Sequence, residues 1–141
     1  MLGLFDSKIT KVDDDSSTDE VDESTFRGKA VTSVPEYMTT LKASYTPPTG
    51  LGGSVTWRSI GEYYISGNNN HSYEGFDVVD MTAFYTVKGD GKDGSMKLYA
   101  QINNVLDETY AEAVWYSDDD ETANYAPAAG RNFGIGLTMK Y

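Results

Sequence analysis

The sequence contains no cysteine, which excludes disulfide bridges, thiolate metal ligands and thiol nucleophiles. It contains one histidine, so a histidine-based metal cluster or a serine–histidine–aspartate triad would depend entirely on His71. His71 lies in an asparagine-rich loop with no nucleophile motif beside it, and we expect a surface histidine there. We therefore predict a protein that is not an enzyme and that has no catalytic residues, no metal site and no cofactor.

Positive charge is scarce, with 11 Lys and Arg residues against 22 Asp and Glu residues and a net charge of −11. This balance argues against a nucleic-acid partner, because phosphate binding requires a basic surface. An acidic surface can attract cations or cationic ligands, or it can simply keep the chain in solution. The acidic runs 13–15 and 118–121 lack the glycine-defined spacing of a calcium loop, and we interpret them as solvated loops.

Long hydrophobic runs are absent as well. No apolar stretch reaches the ~18 residues that indicate a transmembrane helix. The first residues, MLGLFDSKIT, have neither the basic start nor the long apolar segment of a signal peptide. Neither absence excludes a transmembrane β-barrel, because barrel strands are too short and too mixed in character to be detected by hydropathy.

The pattern that is present is a two-residue alternation of apolar and polar side chains, clearest in the final stretch GRNFGIGLTMKY. Helical periodicity is almost absent, so we predict an all-β chain, an antiparallel meander of about six strands. The predicted strands comprise residues 2–10, 36–45, 52–65, 76–87, 96–104 and 131–141.

The connections between these strands alternate in length. Short turns, TPPTG and KGDGKDGS, alternate with longer polar or acidic loops at residues 11–30, 66–75 and 105–130. Short turns at one end and long loops at the other are the layout of a transmembrane barrel, and strands of about ten residues match a bilayer span.

Tyrosines lie at the ends of the predicted strands, on the apolar face, as in the aromatic girdles at membrane interfaces. They are Tyr37, Tyr45, Tyr63, Tyr85 and Tyr141. The alternation alone also fits a soluble β-sandwich that binds a ligand or carbohydrate, or a small closed barrel with a structural role. These alternatives stay open on the pattern alone.

Two stretches, LYAQINNVLDETY at 98–110 and NYAPAAGRNFGIGLTMKY at 124–141, carry a resemblance to a known family. Asn-Val-Leu-Asp followed by tyrosine, a Pro/Gly-containing stretch with arginine, and a final alternating strand with a terminal aromatic strongly resemble the end of TonB-dependent outer-membrane receptors. Upstream, SVPEYMTTLKASY and GEYYISGNNNHSYEGFDVVDMTAFY are similar to the preceding strands of that family. The likeness extends over about 35–141.

The resemblance implies that residues 1–141 are the C-terminal part of a transmembrane β-barrel, without a plug domain or signal sequence, and that Met1 is an internal or artificial start. It implies a place in the bacterial outer membrane, in contact with lipid and with the barrel-assembly machinery. TonB would be reached only through the missing N-terminal part. The parent receptor would take up a small-molecule ligand such as a ferric siderophore or another metal chelate.

Three aromatic residues of the last loop are our candidates for ligand contact: Trp115, Tyr116 and Tyr125. Exposed rings beside acidic residues can stack on a ligand, but they can also pack within the loop or anchor at the membrane interface. For residues 104–107, turn formation by Asn and Asp is favoured over ligand contact. On the inferred lumen face, Arg58 and Lys42 fit ligand contact and pairing with acidic neighbours equally well, and those neighbours include plug residues of a full receptor.

The final strand is the expected assembly signal. We expect its alternate residues to face lipid, with Asn132, Thr138 and Lys140 toward the lumen and with Gly134 and Gly136 leaving room inside. The signal residues, which include the terminal aromatic, are Phe133, Ile135, Leu137, Met139 and Tyr141.

Overall fold

The computed structural model describes residues 2–4, 8, 28–89, 94–117 and 121–140, with the backbone alone for 2–4. Regular structure in these residues consists of β-strands, and no helix among them has the length and apolarity needed to cross a membrane. The strands are β1 (Leu2–Leu4), β2 (Tyr37–Tyr45), β3 (Gly50–Ile60), β4 (Tyr63–Tyr64), β5 (Ser72–Tyr73), β6 (Phe76–Lys88), β7 (Ser95–Asn103), β8 (Ala111–Ser117), β9 (Thr122–Pro127) and β10 (Asn132–Lys140).

Six strands form one antiparallel sheet in the order β1-β2-β3-β6-β7-β10. The other four strands form two hairpins, β4–β5 and β8–β9, inserted between β3 and β6 and between β7 and β10. Both hairpins leave the sheet at the same end, here called the hairpin end, while the short β2–β3 and β6–β7 connections lie at the opposite, turn end. The predicted all-β antiparallel meander is therefore confirmed. The sheet is open, with β1 and β10 at its edges among the described strands.

Alternation divides this sheet into an apolar face and a polar face. Cross-strand register aligns the apolar residues in rows, such as Val55, Met81, Ile102 and Phe133. The polar face is aligned in the same way, with Ser54 opposite Thr82 and Thr82 opposite Gln101. Because paired residues of neighbouring strands share a face, each face keeps its main chemical character across the middle of the sheet, while the rows at the hairpin end are mixed.

The apolar face is uncovered in the part of the chain that the structure describes. Ile135 is 86% exposed and Phe133 73% exposed, values far above those of a folded core. Its exposed large side chains are Leu41, Tyr45, Leu51, Val55, Trp57, Met81, Tyr85, Val87, Met96, Leu98, Phe133, Ile135, Leu137 and Met139. A soluble sandwich would cover such a face with a second sheet, and none packs there among the described residues.

Glycines on the polar face let side chains of neighbouring strands lie flat. A Cβ at Gly136 would collide with the Tyr99 ring, and one at Gly134 would stand 2.9 Å from Cγ of Gln101. The space that we expected these glycines to leave on the lumen side is therefore filled by side chains of β7. Such cross-strand covering of glycine by a larger side chain helps to fix register.

The predicted strand 52–65 is wrong at its C-terminal end, because β3 stops at Ile60 and Tyr63–Tyr64 belongs to a separate hairpin. At the end of the β3–β6 ladder, where Ile60 pairs with Phe76, the backbone of Gly75 lies against the Ile60 carbonyl with φ +83°, a conformation that glycine adopts without strain. The predicted girdle position of Tyr63 is wrong because Tyr63 belongs to that separate hairpin.

The structure also bears on the predicted last loop and on the predicted first strand. The predicted loop 105–130 contains the hairpin β8–β9, which the pattern did not reveal. Of the predicted strand 2–10, residues 2–4 pair with β2 and Lys8 forms an isolated bridge to Ala30. The other residues of that strand lie outside the described residues, as does Tyr141.

A small hydrophobic core lies at the hairpin end, between the two hairpins, and we call this unit the hairpin cap. Ile65, Ala111 and Val114 are buried there. The partly buried residues that pack against them are Tyr63, Tyr73, Tyr116 and Ala123. The cap therefore packs its hydrophobic residues inward, as a water-exposed unit does.

Candidate ligand pocket at the hairpin end

A pocket of about 370 Å³ lies where the polar face of the sheet meets the hairpin cap. Its floor is a cross-strand row of apolar residues on that face, in which Met38 pairs with Ile60 and Ile60 with Phe76. The walls consist of Ser33, Pro35, Tyr63, Ala111, Glu112, Ala113 and Val114. A concave, mostly apolar site with a few polar groups is typical of small-molecule binding.

Asn69 holds one wall of this pocket in place. Its Oδ1 accepts a hydrogen bond from the Ala30 amide at 2.7 Å, and its Nδ2 donates to the Ala30 carbonyl at 3.1 Å. The Ser33 amide donates to the Tyr64 carbonyl at 2.8 Å. Asn69 has φ 58°, a left-handed conformation that asparagine adopts more readily than most residues. The segment that carries Ser33 is thereby attached to the β4–β5 hairpin.

Two tyrosines join the hairpins, and one of them, Tyr63, also lines the pocket. The rings of Tyr63 and Tyr73 lie 5.5 Å apart, and the Ala111 amide donates to the Tyr73 hydroxyl oxygen at 2.8 Å. Burial raises the pKa of Tyr63, and the neighbouring Tyr73 raises it further. The Tyr63 phenol therefore stays uncharged near neutral pH.

Glu112 owes its position in the pocket wall to a β-bulge. Ala111 pairs with Pro127 and Ala113 with Ala126, so Glu112 is an extra residue in β8. A bulge redirects the extra side chain relative to the regular alternation, and bulges are frequent next to functional sites. Here it places a carboxylate among apolar pocket walls.

A polar network beneath the cap connects the sheet to the β7–β8 connection. Asp80 accepts hydrogen bonds from Arg58 Nη2 at 3.1 Å and from the Asn104 amide at 3.0 Å. The Asn104 side chain accepts from the Glu108 amide at 2.9 Å and donates to the Glu108 carbonyl at 2.8 Å. The predicted turn role of Asn104 is confirmed, and of the two alternatives for Arg58 the structure shows pairing with an acidic neighbour, Asp80.

Asp107 completes this network on the other side of the connection. Its carboxylate forms an ion pair with Arg131 at 3.3 Å and accepts a hydrogen bond from the Arg131 amide at 3.1 Å. Asp107 and Arg131 thereby join the two ends of the long connection that contains β8–β9. The Asn-Val-Leu-Asp motif and the later arginine thus have a structural role.

The three aromatic residues that we predicted to contact ligand lie on two sides of the β8–β9 hairpin, Tyr116 and Tyr125 on one side and Trp115 on the other. Tyr116 stacks on His71 with ring centroids 4.5 Å apart, and Tyr125 lies 6.4 Å from Tyr73. Trp115 is 52% exposed and projects from the opposite side of β8–β9. None of the three lines the pocket, so their contact with ligand stays a prediction.

One sequence pattern points to the pocket: apolar residues at strand positions that face the lumen side. Met38, Ile60 and Phe76 are apolar residues at polar-face positions of three paired strands, and Val78 and Phe84 continue this apolar series along β6. The described part of the chain holds no group of three or more side chains arranged to bind a metal. Residues 13–15 and 118–120 of the two acidic runs lie outside that part.

An open sheet with one uncovered apolar face and one polar face is the arrangement expected of a segment of a β-barrel wall. The family model "TonB dependent receptor-like, beta-barrel" matches residues 2–105. The chain belongs to this family.

Among solved structures, the chain is similar to BauA, the ferric preacinetobactin receptor from Acinetobacter baumannii, with a TM-score of 0.64 and 21% identity. The match covers 80% of this chain but 16% of BauA, so the chain spans less than a fifth of that receptor. At this identity the likeness shows a shared fold. No curated protein matches the sequence.

Proposed function

We propose that the chain forms the C-terminal wall of the barrel of an outer-membrane, TonB-dependent nutrient receptor. The observation that carries this proposal is the uncovered apolar face of the six-stranded sheet, opposite a polar face suited to a lumen. The parent protein is a receptor for a small-molecule ligand such as a ferric siderophore or another metal chelate, and not an enzyme. TonB acts through a part of the receptor outside this sequence.

The height of the apolar face supports a membrane position. On β6 the apolar face runs from Val79 to Val87, roughly 26 Å of strand at ~3.3 Å per residue. With a strand tilt of 35–45°, this gives roughly 20 Å, close to the ~25 Å apolar band of outer-membrane barrels.

Aromatic side chains flank this band. Trp57 lies toward the hairpin end, and its Nε1–H donates to Asp77 Oδ1 at 2.9 Å. Tyr45 and Tyr85 lie toward the turn end, with Tyr45 69% exposed. Rings with an apolar body and a polar tip are favoured at the two membrane interfaces.

The orientation follows from the connections. Outer-membrane barrels have short periplasmic turns and longer extracellular loops. The turn end is therefore periplasmic, and the hairpin cap with its pocket is extracellular, where a nutrient arrives.

Because the chain has no cysteine, single cysteines test this arrangement directly. Leu137 and Thr138 are adjacent residues on opposite faces of β10. In lipid vesicles, Leu137→Cys should resist a membrane-impermeant maleimide, whereas Thr138→Cys should react many times faster. Equal labelling of the two variants would contradict the proposal.

The final strand also supports an assembly role, in which the barrel-assembly machinery recognises Phe133, Ile135, Leu137, Met139 and Tyr141. β10 pairs with β7 from Asn132 to Lys140, and its four described signal residues are exposed on the apolar face. Tyr141→Lys should reduce insertion into vesicles that carry the machinery several-fold, whereas Lys140→Gln should not. Unchanged insertion of the Tyr141 variant would rule out this role.

A further inference from the structure

We infer that the pocket at the hairpin end binds a positively charged aromatic group of the ligand and rejects an anionic one. This inference rests on the proposed receptor function and adds the chemical class of the ligand. It depends on the size of the pocket, the charges around it and the rings that line it.

The size of the pocket suits one aromatic ring with its substituents. Its volume of about 370 Å³ lies within the ~300–1,000 Å³ range of ligand sites. A cavity of ~150 Å³ already holds benzene, so a ring that carries a substituted ammonium group fits. The floor of Met38, Ile60 and Phe76 provides apolar contact for the body of such a group.

The charges around the pocket favour a cation. Glu112 lines it, and no lysine or arginine does among the residues that the structure describes. Among the described residues of the hairpin end, Arg58 pairs with Asp80 and Arg131 with Asp107, while Lys8 and Lys29 lie at and beside the bridge to Ala30 and do not line the pocket. The surrounding connections carry further exposed carboxylates, Glu36, Glu62, Glu74 and Glu108.

Together with Glu112, these carboxylates give the hairpin end an excess of negative charge, and hence a negative potential, around the pocket. A cation is attracted to it, whereas an anion is repelled and would lose water on entry without a partner. The bulge at Glu112 matters because it adds an acidic residue to the wall of the pocket itself, beside the carboxylates of the surrounding connections.

Two rings of the pocket can contact the charged group. Tyr63 and Phe76 both line it, and the face of an aromatic ring attracts a cation, most strongly where water is excluded. Each ring packs against a second ring, Phe76 against Tyr110 with centroids 4.3 Å apart and Tyr63 against Tyr73 with centroids 5.5 Å apart. The rings are therefore held in place before a ligand arrives.

The test compares two probes of similar size, phenyltrimethylammonium and benzenesulfonate, by NMR titration of the full chain in detergent micelles. We expect the cation to bind at least tenfold more tightly, with shifts at Phe76 and Ala113. Glu112→Gln should weaken cation binding about five- to tenfold. Glu121→Gln, the same charge change in the β8–β9 connection outside the pocket, should weaken it less than twofold.

A second variant tests the location. Ala113→Trp should fill the pocket and abolish binding of phenyltrimethylammonium while the hairpin shifts confirm a folded cap. Tighter binding of benzenesulfonate, equal effects of the two glutamate variants, or unchanged binding by Ala113→Trp would overturn the inference. These outcomes leave the Leu137/Thr138 labelling contrast unaffected, so a wrong ligand class is distinguishable from a wrong receptor function.

Discussion

The six-stranded sheet and the hairpin cap place their hydrophobic residues in opposite ways. The sheet exposes large apolar side chains such as Ile135 and Leu137 across one whole face, while the cap buries Ile65, Ala111 and Val114 between its hairpins. One chain therefore contains a region suited to lipid and a region suited to water. The boundary between them lies at the hairpin end of the sheet.

The difference shows where each region obtains its stability. The sheet satisfies its backbone groups by strand pairing, and its apolar face needs an apolar cover, which under the proposed function is lipid. The cap gains stability from burial of a few side chains and from hydrogen bonds such as that from the Ala111 amide to Tyr73. The effect of a substitution on stability should therefore depend on the membrane in the sheet but not in the cap.

The largest effect is expected at the junction of the two regions, at Gly75. A side chain there would occupy a left-handed backbone conformation and collide with the Ile60 carbonyl. Gly75→Ala should cost about 4 kcal/mol and prevent folding of both regions. The measurement is the folded fraction in micelles, by heat-modifiable electrophoretic migration. Gly130→Ala is the control, because its site is open and has no such φ, and equal loss in both variants would refute the explanation.

A charge on the apolar face should affect the sheet alone. Ala83 and Thr82 are neighbours on β6 that face opposite sides, with Ala83 in a central row of the apolar face. In lipid vesicles, Ala83→Arg should lower the free energy of unfolding by about 3 kcal/mol, because the charge enters the bilayer. Thr82→Arg should change it by less than about 1 kcal/mol. Similar urea midpoints for the two variants would mean that neither face contacts lipid.

The connection between the regions depends on Asn104, which is buried, has φ 54° and bonds twice to Glu108. Asn104→Ala should cost about 2 kcal/mol through the lost hydrogen bonds and the unfavourable conformation. Asn103→Ala removes one exposed hydrogen bond to Asn132 and should cost about 0.5 kcal/mol. Urea unfolding of both variants measures the difference, and a smaller loss for Asn104→Ala would contradict its structural role.

A cavity in the cap should leave the sheet intact. Val114→Ala removes buried methyl groups and should lower cap stability by about 1.5 kcal/mol. Hydrogen exchange should accelerate in β8 and β9 but not in β6 and β7. Trp115→Ala, on the exposed side of the same hairpin, is the control. Uniform acceleration through the whole chain would show that the two regions unfold together.

The smallest effect is a dependence on alkaline pH. Burial raises the pKa of Tyr63 above 10.0, so above that pH the unfolded chain releases the phenol proton while the folded cap retains it. Cap stability should therefore be unaffected below pH 10 by this group and should fall as pH rises further. Hydrogen exchange of β4 and β5 at several pH values measures how steeply cap stability falls with pH. Tyr63→Phe should make this fall less steep. An unchanged pH dependence in that variant would show that groups other than Tyr63 cause it.

The sheet was predictable from the sequence because its information is local. Alternation at Phe133, Ile135 and Leu137 defines a strand and its faces, and TPPTG defines a turn. The β8–β9 hairpin was missed because its alternation is broken by the bulge at Glu112. The pocket was missed because Ser33, Phe76 and Glu112 are distant in sequence and meet only when the cap packs on the sheet.

The central claim, that the apolar face of the sheet contacts lipid while the cap contacts water, is tested most directly by the two tryptophans. Trp115→Phe leaves Trp57 on the apolar face, and Trp57→Phe leaves Trp115 in the cap. In vesicles with brominated acyl chains, Trp57 fluorescence should be strongly quenched and Trp115 fluorescence hardly changed, with the reverse order for aqueous iodide. Equal quenching of the two by brominated lipid, or protection of Trp57 from it, would contradict the account.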